Sequence, residues 1–216
     1  MNRAFIFDLD GVVVNTAKFH YQAWKQLAQS LGFDFPEEKG ELLKGVSRME
    51  SLEIVLEAGE MTHLKAVEKE VLADSKNRLY LDFISGLSNE DILPGIYEFL
   101  LRIRSEGYRT ALGSASKSGG LILRRLGIEN LFDVIADGLS ITRAKPDPEV
   151  FLTAAEGLCV NPGNCVVVED ARAGVAAAKN GGMHCIGIGK EEVLKGADLI
   201  LKHTGLLLEA DYKSFF

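Results

Sequence analysis

Two aspartates separated by one residue and followed by a glycine, Asp8-Leu9-Asp10-Gly11, stand directly after a short apolar run. At the end of an extended segment, side chains two residues apart point the same way. The glycine lets the chain turn away without bulk over the carboxylates. Alone, the pattern is also what an aspartate-rich turn offers. Two further groups end other apolar runs, Ser114-Ala115-Ser116-Lys117 and Glu169-Asp170, and the loop after a third run leads to Lys145-Pro146. Each has a plainer reading by itself: a helix-capping serine, an exposed lysine, an acid at a helix N-terminus. Together they assemble the parts of phosphoryl transfer. Asp8 with Asp170 or Glu169 offers hard oxygen ligands suited to Mg²⁺, which relieves repulsion between a carboxylate nucleophile and a phosphate dianion. Lys145 and the Ser114 hydroxyl could bind the transferring oxygens as charge spreads over them. Asp10 could protonate the leaving oxygen and later deprotonate the acceptor.

For these groups to meet, the runs before them must be neighbouring strands. Continuous apolar segments at residues 4–7, 110–113, 134–136, 166–168, 185–188 and 199–201 predict buried strands of a parallel sheet covered on both faces. Helical patterns at 96–106, 119–126, 148–156 and 173–180 lie between them, with Pro148 in a first turn and Gly107, Gly127 and Gly181 as C-terminal caps. Strand and helix therefore alternate, as in an α/β Rossmann-like open parallel sheet, where ligands bind outside the carboxyl ends of the strands. Residues 16–87 break the alternation with helical periodicity alone, at 17–31, 51–59 and 64–81, and with connections at 36–41 and 85–91. The expected organisation is a core of residues 1–15 and 88–216 and a small all-helical domain of residues 16–87 inserted after the first strand.

Composition fits this and narrows the partners. The chain has 216 residues, 47% apolar and 25% charged, which is enough to bury a core without disulfides or a structural metal. Its 31 acidic against 24 basic residues give a net charge of −7, and no run of clustered lysine and arginine marks a nucleic-acid surface. Cys159, Cys165 and Cys185 are odd in number and form no C-x-x-C pair, which points to a reducing compartment. The first residues lack the long apolar stretch of a signal peptide, and no segment approaches the about 18 apolar residues of a membrane span. The expectation is a cytoplasmic monomer with small-molecule partners.

The ordered set Asp8-Leu9-Asp10-Gly11, Ser114, Lys145-Pro146 and Glu169-Asp170 resembles the four motifs of the haloacid dehalogenase-like phosphotransferases, over essentially the whole chain. The inserted helical segment is similar to that superfamily's small cap. A narrower resemblance, to the β-phosphoglucomutases, is carried by Thr16-Ala17 with His20, by Trp24, by Leu43-Lys44-Gly45-Val46-Ser47-Arg48, and by Ser114 to Lys117 and Lys145-Pro146. It implies interconversion of β-glucose 1-phosphate and glucose 6-phosphate through an aspartyl phosphate and glucose 1,6-bisphosphate. Under it, Asp8 forms the aspartyl phosphate and Asp10 is the general acid and base. Mg²⁺ is held by Asp8, the Asp10 backbone carbonyl and Asp170, with Glu169 beside it. Ser114, Ala115 and Lys145 hold the transferring phosphate. Arg48, Ser116 and Lys117 bind the other phosphate, and the substrate set extends to Thr16, His20, Trp24, Lys44, Gly45 and Lys76. His20, Lys44 and Lys76 couple closure to the placement of Asp10.

Plainer roles stand beside these. Trp24 suits core or hinge packing, Lys44, Arg48 and Lys76 suit an ordinary charged surface, and His63, His184 and His203 show no metal-site spacing. Asn15 stands where relatives often carry Asp, and Ser118 where the mutases often carry Asn, so both bear on substrate rather than reaction class. The rival activity on the same scaffold is a sugar-phosphate phosphatase with water as acceptor. A catalytically idle binding or regulatory protein is the reading from another class, and the intact acidic, hydroxyl and lysine set argues against it.

Overall fold

The computed structural model describes residues 2–43 and 46–216. It divides into two compact units, Met1–Asn15 with Leu87–Phe216, and Thr16–Gly86.

The first unit is built on six parallel strands: β1 (Ala4–Phe7), β2 (Arg109–Gly113), β3 (Val134–Ala136), β4 (Cys165–Glu169), β5 (His184–Ile188) and β6 (Leu199–Leu201), in the order β3-β2-β1-β4-β5-β6. All six occupy the apolar runs of the sequence, because strands covered on both faces carry no polar alternation to obscure them. The chain lays β2 and β3 on one side of β1 and then crosses to place β4 on the other. The strand order thus reverses at β1, between β2 and β4, where open sheets leave a crevice at the carboxyl ends.

Successive residues of β1 serve opposite faces. Ala4 and Ile6 join one core with Ala111, Val167, Phe151 and Ala154. Phe5 and Phe7 enter the other, where Phe5 meets Phe99 and Tyr212 edge-on, both at 5.4 Å between ring centroids. The first core is covered by α6 (Glu149–Gly157) and α7 (Arg172–Asn180), and Phe99 comes from α4 (Ile96–Ser105). Pro148 is the N-cap of α6. Gly107 and Gly127 adopt left-handed φ of 86° and 71° at helix ends. After α7 that role falls to Gly182 (φ 70°) rather than Gly181. There the N–H groups of Gly182 and Met183 reach back to the carbonyls of Lys179 and Ala178, the paired bonds of a Schellman ending.

Beyond β1 the chain makes a tight turn in which the Val14 N–H returns to the Leu9 carbonyl at 3.1 Å. Val14 also pairs in antiparallel fashion with Ile92, and the Leu93 N–H donates to the Val13 carbonyl at 2.9 Å. The segments leading into and out of the helical insertion are therefore held side by side within the first unit.

The second unit contains α1 (Ala17–Ser30), α2 (Arg48–Ala58) and α3 (Ala66–Phe83). Its core gathers Trp24, Leu27, Ala28, Phe35, Leu52, Val55, Leu56 and Ala73. Helix α2 starts three residues ahead of its apolar pattern because Ser47 and Glu50 close a reciprocal capping box. The expected connection after Pro36 is instead a 3₁₀ helix, Glu37–Leu43, whose first-turn acids Glu37 and Glu38 suit a helix N-terminus. The segment expected to link the insertion back to the sheet contains two single 3₁₀ turns, Ile84–Gly86 and Asn89–Asp91. Among the described residues, no helix is long and apolar enough to cross a membrane. Cys159, Cys165 and Cys185 are free thiols.

Candidate active site

The carboxyl ends of β1 and β4 and the loop before α6 converge on one buried ammonium. Lys145 Nζ lies 2.5 Å from Asp8 Oδ1 and 2.8 Å from Glu169 Oε1, with its side chain fully enclosed. The same nitrogen sits over the Phe151 ring, 4.6 Å from its centroid. Burial disfavours the charge of Lys145, but the Asp8 and Glu169 carboxylates outweigh it and hold the lysine above its ordinary range. For Glu169, burial and then the neighbouring Asp8 charge push the carboxyl up, against the pull of Lys145. The second Glu169 oxygen, Oε2, accepts the Ala171 N–H at 2.6 Å. Glu169, expected beside the metal, thus has one oxygen on Lys145 and the other on the entry to α7.

Two glycines make this packing possible. A Cβ at Gly174, on the first turn of α7, would overlap the Glu169 carboxylate. A Cβ at Gly11, whose φ is +80°, would overlap that of Asp170. Asp170 is therefore folded against the turn that carries Asp8 and Asp10, although it lies far along the chain. Asp10 is half-buried in that turn, bridged to Val14.

The loop after β2 is organised by its own serines. The Ser114 N–H donates to the Ala136 carbonyl at 3.0 Å, while Ser114 Oγ accepts the Ser116 N–H and Ser116 Oγ the Ser118 N–H, both at 3.2 Å. Ser114 is buried, Ala115 and Ser116 are half-buried and Lys117 is exposed. Ser118 occupies the N-cap position of α5 (Gly119–Arg125) without a side-chain capping bond.

A second cluster lies within the helical unit. Lys76 on α3 is 3% exposed and its Nζ stands 2.7 Å from His20 Nδ1 on α1. The ammonium also lies over the rings of Trp24 and Tyr80, at 4.7 and 4.9 Å. Tyr80 stacks on His20 with ring centroids 3.9 Å apart. Burial first, then the charges of Lys76 and Arg48, hold His20 well below its ordinary value. With Lys76 donating, His20 Nδ1 is the acceptor and the ring is neutral. Arg48 opens α2, donating to Asn77 Oδ1 at 2.8 Å and standing 3.6 Å from Asp74. Trp24, read both as a substrate residue and as core packing, is 1% exposed in the core of this unit, where its ring lies against Lys76. Thr16 is buried at the N-cap of α1. Lys44 and Gly45 lie outside the described residues.

A model of haloacid dehalogenase-like hydrolases matches residues 2–182. The chain belongs to this family. It is 43% identical to the β-phosphoglucomutase of Bacillus subtilis strain 168, over 94% of this chain and 90% of that protein. It is 33% identical to a phosphorylated carbohydrates phosphatase of Thermotoga maritima, over 94% of this chain and 96% of the relative. The crystal structure of a β-phosphoglucomutase from Clostridium difficile superposes with a TM-score of 0.93 at 42% identity, covering 99% of this chain and 95% of that one.

Within this haloacid dehalogenase-like chain, the donors for a metal are few. Among the described residues, no group of three or more His, Cys, Asp or Glu side chains could hold an ion by itself. The carboxylates at hand are Asp8 at the end of β1 and Asp170 against Gly11. Such a set suits Mg²⁺, which takes one or two carboxylates and completes its shell with waters and substrate phosphate. Three participants escaped the sequence reading: Phe151, Gly174 and Tyr80. Of these, only Gly174 left a local trace, as a glycine in the first turn of a helix.

Proposed function

We propose that the protein is a Mg²⁺-dependent β-phosphoglucomutase, interconverting β-glucose 1-phosphate and glucose 6-phosphate through an aspartyl phosphate and glucose 1,6-bisphosphate. The observation that carries this is the buried Asp8–Lys145–Glu169 cluster at the point where strand order reverses. The 43% identity to a protein named for that activity supports the choice of substrate.

In this reading Asp8 attacks the phosphorus of a sugar phosphate, and the P–O bond to the sugar breaks as the bond to the Asp8 carboxylate forms. Asp10 donates a proton to the departing sugar oxygen, and in the reverse sense takes one from the sugar hydroxyl that attacks the phosphorylated Asp8. Lys145 and Ser114, with Ala115 beside them, bind the transferring oxygens while charge builds on them. Asp8, the Asp10 carbonyl and Asp170 would hold Mg²⁺, which supplies charge neutralisation between carboxylate and phosphate.

The helical unit of residues 16–86 serves as a cap. Arg48 offers a planar fork to the non-transferring phosphate, with Ser116 and Lys117. His20, Lys44 and Lys76 couple closure to the placement of Asp10. A cap that closes only on a sugar phosphate protects the aspartyl phosphate from water. The second reading is a sugar-phosphate phosphatase, favoured by the 33% identity to the Thermotoga protein.

The deciding experiment supplies β-glucose 1-phosphate, Mg²⁺ and a trace of glucose 1,6-bisphosphate and follows glucose 6-phosphate and free phosphate together. Glucose 6-phosphate in large excess is the expected result. Phosphate as the main product assigns the phosphatase instead.

A further inference from the structure

We propose that Phe151 is a positioning residue for phosphoryl transfer, its ring face setting where the Lys145 ammonium stands between Asp8 and Glu169. The proposal rests on the reading of Asp8 and Lys145 as the reacting pair and of their chemistry as phosphoryl transfer, and does not depend on which sugar is bound.

An ammonium on a four-carbon stem is a mobile point charge with three protons. At Lys145 the two carboxylates accept two of them, at 2.5 and 2.8 Å. Phe151 stands against the same charge, at 4.6 Å and within the about 6 Å over which a ring face attracts a cation. Both side chains are buried, so this attraction acts with little screening by solvent. Phe151 is itself immobile: it lies at the start of α6, its N–H donates to the Pro148 carbonyl at 3.0 Å, and its ring packs with Ile6 and Ala111 of the central strands.

The choice of a ring has a chemical consequence. A carboxylate or amide in that place would accept the third proton along a fixed direction and compete for it. A ring face holds the charge without a directed acceptor, so the lysine keeps a proton to turn toward an incoming phosphate oxygen. Phe151 thereby sets the distance from which Lys145 meets the transferring group, while touching neither phosphate nor metal.

The test replaces Phe151 with 4-fluoro-, 3,5-difluoro- and 3,4,5-trifluorophenylalanine, which drain the ring face of charge and barely change its shape. The readout is glucose 6-phosphate and free phosphate formed from β-glucose 1-phosphate with Mg²⁺ and a trace of glucose 1,6-bisphosphate. The expected result is a stepwise fall in kcat, reaching about 3- to 30-fold for the trifluoro ring, with KM moving little and the unfolding midpoint falling by no more than the lost attraction. A flat kcat series, or a KM that rises while kcat holds, overturns the proposal. A second measurement needs no turnover: in protein labelled with ¹³C-lysine, the ε-methylene protons of Lys145 should be shifted upfield by the ring current and return to an ordinary position in Phe151→Leu. An ordinary position in the wild type overturns the placement. A wild type that forms neither glucose 6-phosphate nor free phosphate sinks the reading of Asp8, and the NMR signal then decides the placement of Lys145 alone.

Discussion

The molecule buries two lysines beside aromatic rings and stabilises them by different means. Lys145 is enclosed between two carboxylates carried by strand ends, with one ring behind it. Lys76 is enclosed on helices, between two ring faces and a neutral histidine nitrogen. At the first, opposite charges are close enough to hold the proton firmly. At the second, the burial and the cation together keep a proton off His20. The strand-end site therefore concentrates opposite charge around one ammonium, and the helical site keeps the histidine beside its ammonium neutral. Five substitutions test that contrast.

Replacing Asp8 by Asn removes the nucleophile with hardly any change of shape. Turnover of β-glucose 1-phosphate should fall to the level of the blank while circular dichroism stays that of the folded protein. Measurable turnover would remove Asp8 from the role given to it.

Lys145→Ala leaves two buried carboxylates facing each other, and breaking such a pair costs about 3–5 kcal/mol. Urea unfolding should show that loss. The parallel change Lys76→Met should cost less, about 1–2 kcal/mol, as ring-face attraction and a hydrogen bond to a neutral group are lost. Equal losses at the two sites would break the comparison.

Gly174→Ala tests the rigidity of the strand-end site. The new Cβ needs the space of the Glu169 carboxylate, and forced displacement in a packed interior costs about 1–3 kcal/mol. The expected outcome is that loss of stability together with a fall in kcat of about tenfold. A stable, fully active Gly174→Ala would show that Glu169 can shift without moving Lys145.

The smallest effect belongs to His20. Its folded pKa lies below the unfolded value near 6.5, so between the two the unfolded chain binds a proton that the folded chain does not. Its share of stability is full above about pH 6.5 and is lost as pH falls toward the folded value, by at most about 1.4 kcal/mol per pH unit. His20→Asn should remove that slope. Lys76→Met, by deleting one neighbouring cation, should raise the His20 pKa in an NMR titration. An unchanged value would remove Lys76 from the causes of the depression.

What the sequence disclosed follows from the range of each interaction. The strands were legible because parallel strands need unbroken apolar runs, and β1, β3 and β6 have the bounds that those runs mark. The convergence of Asp8, Lys145 and Glu169 was legible for the same reason, since a parallel sheet brings the ends of its strands to one edge. The start of α2 was written in Ser47 and Glu50 but masked by an apolar pattern that begins later. The 3₁₀ helix Glu37–Leu43 is too polar and too short to show a period. Phe151 behind Lys145 and Tyr80 against His20 depend on which side chains meet after folding, and an aromatic residue in an apolar pattern announces only that it is buried. Trp24 is a wall of the helical core, the plainer of the two roles its type allowed.

The pairing of Val14 with Ile92 and the bond from the Leu93 N–H to the Val13 carbonyl make the insertion topologically inexpensive. Closing a loop costs entropy that grows only with the logarithm of its length, and here the closure is fastened by backbone bonds belonging to the α/β unit itself. The insertion can therefore lengthen, shorten or change its internal packing while its two attachment points stay where they are. From the standpoint of the sheet, everything between those points counts as one turn.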